Sequence, residues 1–508
     1  MTSSGPTIAM ALARARRTSA RRTALVCADR PVTFAELADR CDRVAPALRG
    51  LGLAPGDRVA ILAANCHRYV EAYMGVPAGG MVLLSLNTRL APAELVEISK
   101  AARPKLLVTD RDPGPIADVV QRVVTFDEWD VLLDEATPDS SPVDVSEDAV
   151  SEDDLAMLYF TGGTTGRPKG VMLTHRNLVA NSFHKTLACR FQPDDVYLAV
   201  APFFHVAGTA PLVGLLWMGG SFVILPAFDP ATSLDAIERH RVTVAIPVPT
   251  MLGALVEEQT AHPRDVSSLR LMGHAGSPIT NDLLRRAHDA FPAAELAQFY
   301  GATETSSIVT SLPHEEIHLD GGRLGSVGQP VVGVEAKVVD TDGNECTPGV
   351  AGEVLVRGPN VMVGYWENAD ATAAAFDDGW YRTGDVGYLD DESYLFLLDR
   401  AKDMIVTGGE NVYSLEVENA LGSHPAVLEV AVFGVPDDRW VEAVHAVVVV
   451  RDPSLLTDTL ESELREHCRR TIAGFKVPKA ISIQIDPLPK SGPGKILKRE
   501  LRAPYWPT

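Results

Sequence analysis

Residues 155–173 have the sequence LAMLYF-TGGTTGRPKG-VML, in which a polar segment separates two apolar runs. The two apolar runs predict buried strands, and the polar segment between them predicts a turn rich in glycine and threonine. Glycine lets a ligand approach the backbone closely, and successive N–H groups in such a turn form an anion-binding concavity. The pattern therefore indicates a polyphosphate-binding loop. The alternative is a solvated hairpin loop without a ligand.

This loop differs from the Walker A phosphate loop, which ends in Gly-Lys-Ser/Thr and opens a helix. Here Lys169 precedes Gly170 and a strand, and Pro168 stiffens the exit from the loop. The lysine therefore reaches phosphate from a strand instead of from a helix.

Residues 159–170 resemble the phosphate loop of the AMP-forming adenylate enzymes, a superfamily of acyl-CoA synthetases, adenylation domains and luciferases. Gly162 stands where that family usually has serine, which removes one hydroxyl and leaves the backbone donors. The resemblance implies that the nucleotide is bound by Thr161, Gly162, Gly163, Thr164, Thr165, Gly166 and Lys169.

Composition indicates a globular protein of more than one domain. The chain has 508 residues, of which 46% are hydrophobic and 22% charged. Since a domain has roughly 150 residues, this length is enough for more than one. The net charge of −21 argues against nucleic acid as a partner. Six scattered cysteines without a Cys-x-x-Cys pair disfavour a zinc site or a disulfide framework, and they favour a reducing cytoplasm.

Neither a membrane span nor a secretory signal is expected. No apolar run reaches the length of about 18 residues that a span needs. At the N-terminus the basic residues follow the apolar patch, whereas in a secretory signal they precede it. The pattern over 8–19 predicts an amphipathic helix.

Strand-like and helix-like segments alternate after the N-terminus. Thr33, with Glu36 three residues later, predicts a capped helix start. Strands are predicted at 57–62, 105–109, 242–248 and at the start of 269–278, and a helix at 176–189. Such alternation favours parallel sheets covered on both faces. Short strands with Gly/Pro turns over 328–358 predict a β subdomain.

The final segment predicts a separate small unit, with strands at 404–407, 428–434 and 443–450 and helices near 414–421 and 454–471. The expected fold class is therefore α/β: a large domain of doubly wound sheets plus a β subdomain, and a small mixed α+β lid. With the family resemblance, we place the nucleotide- and acyl-binding domain at 1–399, a hinge at 400–402 and the lid at 403–508.

A second motif reads QFYGATET over 298–305. An aromatic ring can stack on a purine, a hydroxyl can bond phosphate and a carboxylate can hold Mg²⁺. The resemblance implies that Tyr300 packs on adenine beside Gly301, and that Thr303 contacts the α-phosphate. It also implies that Glu304 binds Mg²⁺ together with Thr164.

A carboxylate such as Asp385 can accept hydrogen bonds from both ribose hydroxyls. Read alone, it is a solvated loop aspartate. The resemblance assigns the ribose to Asp385 and Arg400.

The acyl pocket is placed by resemblance alone. His205 lies in an apolar run, where a lone histidine is usually a core residue. In the family this run forms one wall of the pocket, so His205 and Ala207 are expected to line the substrate without acid or base roles.

The strand and glycine turn at 269–278 are expected to face the adenosine and the acyl chain. Gly273 and Ala275 would line the substrate, and Gly276 and Ser277 the nucleotide. Gly219 stands about where malonyl-activating members carry arginine, which favours a roomy, uncharged pocket.

Four further positions come from the resemblance of the lid. Lys402 matches the family's pivot, and Gly408 and Gly409 match the glycines that line the CoA channel, although alone they read as a tight turn. Ser414 replaces a common proline. In PKSGPGKILKREL at 489–501, Lys495 matches the catalytic lysine; the alternative is a basic, flexible tail.

The resemblance, which covers essentially the whole chain, implies a carboxylate-activating ligase that uses ATP, Mg²⁺ and CoA. A fatty or other bulky hydrophobic acid becomes acyl-AMP, and the lid then swings so that CoA takes the acyl group. Lys495, Thr303 and Glu304 are the expected catalytic residues. The alternatives are transfer to a carrier-protein phosphopantetheine, a non-catalytic nucleotide-binding protein and an acyl-AMP luciferase or oxygenase. A carrier protein and a second copy of the chain are candidate protein partners.

Overall fold

The computed structural model describes residues 5–138, 150–161, 168–277, 279–314, 317, 321–400, 403–407, 410–437, 439–490 and 496–506. Its helices are α1 (Ala9–Ser19), α2 (Phe34–Gly50), α3 (His67–Ala78), α4 (Pro92–Ala102), α5 (Phe126–Glu135), α6 (His175–Ala188), α7 (Val206–Met218), α8 (Pro230–His240), α9 (Pro249–Ala261), α10 (Asn281–Ala290), α11 (Ala369–Ala375), α12 (Ser414–Gly422), α13 (Leu460–Thr471) and α14 (Lys498–Arg502).

The strands up to the middle of the chain are β1 (Thr23–Cys27), β2 (Arg30–Thr33), β3 (Arg58–Leu62), β4 (Val82–Ser85), β5 (Leu106–Thr109), β6 (Arg122–Thr125), β7 (Leu155–Thr161), β8 (Lys169–Thr174), β9 (Val196–Ala199), β10 (Ser221–Ile224), β11 (Val244–Ala245), β12 (Leu271–Ala275) and β13 (Glu295–Tyr300). The remaining strands are β14 (Thr310–Leu312), β15 (Ser326–Pro330), β16 (Glu335–Val339), β17 (Gly352–Arg357), β18 (Gly364–Tyr365), β19 (Phe376–Asp377), β20 (Trp380–Leu389), β21 (Leu395–Arg400), β22 (Ile405–Thr407), β23 (Glu410–Val412), β24 (Val427–Asp437), β25 (Val441–Val450) and β26 (Ala480–Gln484).

Two sheets build the large domain. The first runs in the order β16-β17-β20-β21-β15-β14-β13-β12-β11-β9-β10-β1-β2, with β19 beside β20. Its stretch from β1 to β13 is parallel, and the stretch from β14 to β16 in this order is antiparallel, which includes the strands of the β subdomain expected over 328–358. The second sheet runs β18-β8-β7-β4-β3-β5-β6, and it is parallel from β7 to β6.

The main hydrophobic core lies between these two sheets. It includes α6 and α7 side chains as well as residues from both sheets, such as Leu83 and Tyr159 on one side and Ala297 and Phe299 on the other. Because helices cover the strands on both faces, the strands read as almost continuous apolar runs. The predicted α/β class and the large-plus-small domain arrangement are confirmed.

A third sheet, β23-β22-β25-β24 with β26 beside β25, lies wholly after Arg400. It has its own core, which includes Ile405, Val417, Val448 and Leu464. The chain leaves the large sheet at the end of β21 and enters this sheet at β22. Lys402, the expected pivot, lies outside the described residues.

Most of the predicted elements are confirmed. The capped start of α2 is present, because Glu36 N–H donates to Thr33 Oγ1 at 3.2 Å and Thr33 N–H to Glu36 Oε2 at 2.7 Å. The N-terminal helix, the flanking strands of the phosphate loop and the helix α6 also lie where the sequence predicts them.

Two predicted elements are wrong in extent. The strand expected over 242–248 is reduced to the two residues of β11, because Pro247 has no N–H to pair and α9 begins at Pro249. The helix expected over 454–471 begins at Leu460, after a 3₁₀ turn at Pro453–Leu455. Within the described residues, no helix is both long and apolar enough to span a membrane, and all six cysteines are free thiols.

Candidate active site

The phosphate loop is held between two antiparallel strands. β7 and β8 pair from Leu155–Thr174 to Thr161–Lys169, with one register shift between Leu155 and Met157. The positions between them, Gly162, Gly163, Thr164, Thr165 and Gly166, lie outside the described residues. Lys169 Nζ lies 5.0 Å from the centroid of the Tyr365 ring, so the exit of the loop faces the residues of β18.

Asp385 joins two of the predicted nucleotide-binding residues. Its Oδ2 accepts a hydrogen bond from the Tyr300 hydroxyl at 2.6 Å, and its Oδ1 lies 2.7 Å from Arg400 Nε. The last pair follows from the fold, because Asp385 and Arg400 are direct partners on β20 and β21. Burial, followed by the charge of Asp385, raises the pKa of Tyr300 well above its ordinary value. Tyr300 therefore stays a hydrogen-bond donor.

The turn after β13 brings Thr303 and Glu304 to the same edge of the sheet. A side chain at Gly301 would place its Cβ 2.3 Å from the carbonyl oxygen of Ser307, so only glycine fits this close approach. Thr305 Oγ1 accepts from Ala302 N–H at 2.9 Å and closes the turn. Thr303 and Glu304 are half-buried and open to a ligand.

The segment 358–365 supports Glu304 from behind. The Tyr365 hydroxyl donates to Glu304 Oε1 at 3.1 Å, and Met362 N–H donates to the Glu304 carbonyl at 2.8 Å. The buried Asn360 amide donates to Thr305 O at 3.0 Å and to Ile308 O at 2.6 Å. Glu304 is therefore held by residues outside its own motif.

Sequence reasoning missed Tyr365 and Asn360. Burial and the neighbouring charge of Glu304 raise the pKa of both Tyr365 and Tyr381 above the ordinary value, so both phenols stay protonated. The position of Tyr365 depends on the pairing of β18 with β8, which is nearly 200 residues earlier. No local pattern carries that information.

The residues present fit Mg²⁺ and a nucleoside. A carboxylate oxygen of Glu304 is the kind of ligand that Mg²⁺ prefers, and it lies on the same edge as the flanking strands of the phosphate loop. The fixed carboxylate of Asp385, backed by Arg400, is an acceptor suited to hydroxyl groups. Aromatic, carboxylate and phosphate-loop elements thus meet at one edge of the two sheets.

The predicted acyl wall comes from α7 and β12. His205 precedes α7, and burial lowers the pKa of its imidazole to about 4, with Arg89 adding to the effect. It is therefore neutral at neutral pH, as a lining residue without an acid or base role should be. His205 Nε2 is buried without a hydrogen-bond partner in the described part of the chain. Ala207, two residues later, is exposed.

The carboxyl end of β12 provides the other side. Gly273 is buried, and Ala275 and Ser277 are half-buried. Gly276 has φ +87°, a left-handed conformation that glycine adopts without strain. Ligands of parallel sheets bind outside the carboxyl ends of the strands, which is where these residues lie.

Gly219 follows the C-terminal end of α7. It lies at the opposite end of α7 from His205, about 20 Å away for a helix of 13 residues. A Cβ there would lie 2.8 Å from Ser19 Oγ of α1. The uncharged pocket expected from this residue therefore stays a prediction.

The key lid residues Gly408, Gly409 and Lys495 lie outside the described residues, but their flanks are anchored. β22 and β23 enclose 408–409, and an isolated bridge joins Lys490 to Ile496 on either side of 491–495. Lys490 is paired with Glu429.

These features indicate a nucleotide-binding ligase with a large N-terminal α/β domain and a small C-terminal domain. The chain belongs to the AMP-binding enzyme family, whose main domain matches residues 12–366 and whose C-terminal domain matches residues 416–495.

Individual relatives agree over nearly the full length. A feruloyl-CoA synthase of an Amycolatopsis species is 39% identical over 96% of this chain and 97% of the relative. A fatty acid–[acyl-carrier-protein] ligase of Streptomyces coeruleorubidus is 37% identical over 95% and 93%. The solved structure of o-succinylbenzoate CoA synthetase from Bacillus subtilis, in complex with its acyl-adenylate, has a TM-score of 0.85 and 33% identity, covering 97% of each chain.

The protein is therefore an AMP-forming acid–thiol ligase. It uses ATP to convert a carboxylic acid into an acyl-adenylate and then forms the CoA thioester, with Mg²⁺ as the metal.

Proposed function

We propose that the acid substrate is bulky and largely apolar, of the fatty or aromatic type. The neutral His205 carries this proposal, because it lines the acyl wall without offering a charge. Two relatives, named for feruloyl-CoA synthesis and for fatty acid ligation, support acids of this kind.

The nucleotide would be held from several sides. Tyr300 packs on the adenine, Asp385 and Arg400 bind the ribose, and Thr303 bonds the α-phosphate. The other contacts come from the phosphate loop, Thr161 to Lys169, and from Gly276, Ser277 and Gly301. The observed Tyr300–Asp385–Arg400 arrangement supports these roles, since it fixes the carboxylate before any ligand arrives.

Adenylation needs no nucleophilic side chain. A substrate carboxylate oxygen forms a bond to the α-phosphorus while the bond to pyrophosphate breaks, so alignment and charge stabilisation supply the catalysis. Mg²⁺, when bound by Glu304 and Thr164, neutralises phosphate charge. Lys495 donates to the carboxylate and the α-phosphate, and Lys169 holds the departing pyrophosphate.

The second half-reaction would use another face of the lid. Residues 1–399 form the nucleotide- and acyl-binding domain, 400–402 the hinge and 403–508 the lid. Rotation about Lys402 withdraws Lys495 and brings Gly408 and Gly409 to the channel for CoA. The change of sheet between β21 and β22 supports a boundary at this point, and hinges of this kind are a few residues at the end of an element.

The test is pyrophosphate release with ATP and Mg²⁺ across a panel of acids, each with and without CoA. We expect release that depends on an apolar acid and yields acyl-CoA. Release with small polar acids alone would contradict the proposed substrate class.

A carrier-protein phosphopantetheine is the second candidate acceptor, because one relative at 37% identity is named for it. Formation of an acylated carrier protein and AMP, when a carrier protein with a free phosphopantetheine thiol is added in place of CoA, would establish that acceptor. We also propose a cytoplasmic location, which six free thiols support, and a homodimer, which light scattering of the purified protein would test.

A further inference from the structure

Lys185 of α6 places an ammonium group in the core between the two sheets. The residue is 2% exposed, and Nζ lies 4.3 Å from the centroid of the Phe299 ring. None of the described carboxylates pairs with it, and burial lowers its pKa below the ordinary value. A buried ammonium without a paired anion is unfavourable, and a ring face offsets only part of that cost.

Asn181 lies one helical turn earlier, on the same face of α6 as Lys185. It is also 2% exposed, and its Oδ1 has no hydrogen-bond partner among the described residues. By contrast, the neighbouring hydroxyls of Ser182 and Thr186 bond carbonyls of their own helix, Val179 O and Ser182 O. Two polar groups of one face are thus left unused by the fold.

This face of α6 is directed at the proposed acyl wall. Phe299 and Ala275 are direct partners on parallel strands, so their side chains lie on the same face of the sheet, the face on which a side chain at position 273 would also lie. The edge of the Phe299 ring covers Gly273, where a Cβ would lie 2.7 Å from Phe299 Cε2. The Phe299 ring therefore lies between Lys185 and Gly273 of the substrate-lining strand β12.

We propose that Lys185, together with Asn181, binds a hydrogen-bond acceptor at the end of the acid substrate remote from its reacting carboxylate. This inference rests on the proposed function and narrows its substrate class to acids with a distal carbonyl, phenolic oxygen or second carboxylate. The ammonium supplies donors and the Asn181 amide both a donor and an acceptor. Most of the pocket stays apolar, with polarity confined to its inner end.

Two matched pairs of acids test the proposal: 7-oxooctanoate against octanoate, and 4-hydroxycinnamate against cinnamate. Within each pair only the distal group differs. A site built to bond a polar group rejects the analogue that lacks it, so we expect kcat/KM for pyrophosphate release to favour the acceptor-bearing acid of at least one pair by about tenfold or more. The ratio of kcat/KM between the two acids of a pair should fall toward one in Lys185→Met. Lys185→Arg, which keeps a cationic donor, should retain part of the preference.

The control is Lys100→Met, the same change at an exposed lysine of α4, which should keep the wild-type ratio. If Lys185→Met fails to fold, as judged by thermal unfolding, Asn181→Leu replaces it. The role of Lys185 would be overturned if the wild-type enzyme had the same kcat/KM for both acids of each pair. It would also be overturned if Lys185→Met lowered kcat/KM equally for both acids of a pair. No acid-dependent release with any acid would instead contradict the proposed function itself.

Discussion

The Tyr300 hydroxyl donates to Asp385 Oδ2 at 2.6 Å, while Arg400 holds the other carboxylate oxygen at 2.7 Å. The expected ribose acceptor is therefore oriented by the residue expected to stack on adenine. The expected adenine and ribose sites are therefore coupled through the Tyr300–Asp385 hydrogen bond.

Tyr300→Phe should keep the ring and lose only the hydrogen bond to Asp385. Because such a bond is worth about 0.5–1.5 kcal/mol, we expect KM for ATP to rise about 2- to 10-fold. Pyrophosphate release measured against ATP concentration checks this. The control is Tyr388→Phe, which makes the same change on β20, the strand that carries Asp385. It should leave KM for ATP unchanged. An unchanged KM in Tyr300→Phe would contradict the coupling.

Glu304→Gln should weaken adenylation through the metal. Glutamine can still accept the Tyr365 hydrogen bond but carries no charge, so its affinity for Mg²⁺ falls. We expect the rate at about 1 mM Mg²⁺ to drop tenfold or more and to recover in part as Mg²⁺ is raised. Glu295→Gln, at the other end of β13, should behave as wild type. A loss that no Mg²⁺ concentration relieves would argue for a purely structural role.

Ser414→Pro should loosen the lid. Ser414 N–H donates to Asp399 Oδ2 at 2.6 Å across the junction between the large domain and the lid, and a hydrogen bond to a charged group is worth about 1.5–3 kcal/mol. Ser414 is the first residue of α12 and follows an extended residue, so proline fits there without breaking the helix.

We expect trypsin to cleave after Arg400 or Lys402 about tenfold faster in Ser414→Pro than in wild type. Ser414→Ala is the matched control, because it keeps the N–H and loses only the hydroxyl that Lys498 bonds. Equal acceleration in both variants would assign the effect to the hydroxyl.

Acid should destabilise the large domain through its buried histidines. Burial lowers the pKa of His175 and of His274 from 6.5 to about 4. Unfolding therefore takes up protons between these values, so this stability is fully present above pH 6.5 and is lost as the pH falls toward 4.

We expect the unfolding temperature to fall between pH 7 and pH 5, with each such histidine costing up to about 2 kcal/mol at pH 5. His274→Phe should lessen that fall, whereas His262→Phe, at a side chain that is 71% exposed, should not change it. A pH dependence identical in wild type and His274→Phe would refute this origin.

Local patterns predict much of this molecule because its parallel strands are uninterrupted apolar runs, and the Thr33 capping box lies within four residues. β11 shows the limit: Pro247 shortens a segment whose apolar character alone predicts seven residues of strand. Apolar character reports burial, whereas strand length depends on which N–H groups can pair.

The missed site residues depend on contacts distant in sequence. Tyr365 reaches Glu304 across 61 positions, and Asn360 ties together backbone carbonyls 52 and 55 positions away. Lys185 looks like a surface residue in the sequence, because lysine is almost never buried unless it is paired. Only its burial and its contact with the Phe299 ring of β13 show that it is inside.

If one lid serves two half-reactions, Lys495→Ala should separate them when adenylation and thioester formation are assayed one at a time. We expect this variant to lose acid-dependent pyrophosphate release and yet to form acyl-CoA from supplied acyl-AMP at close to the wild-type rate. Gly409→Leu, the matched variant, should show the reverse pattern. Equal loss of both half-reactions in Lys495→Ala would contradict the account.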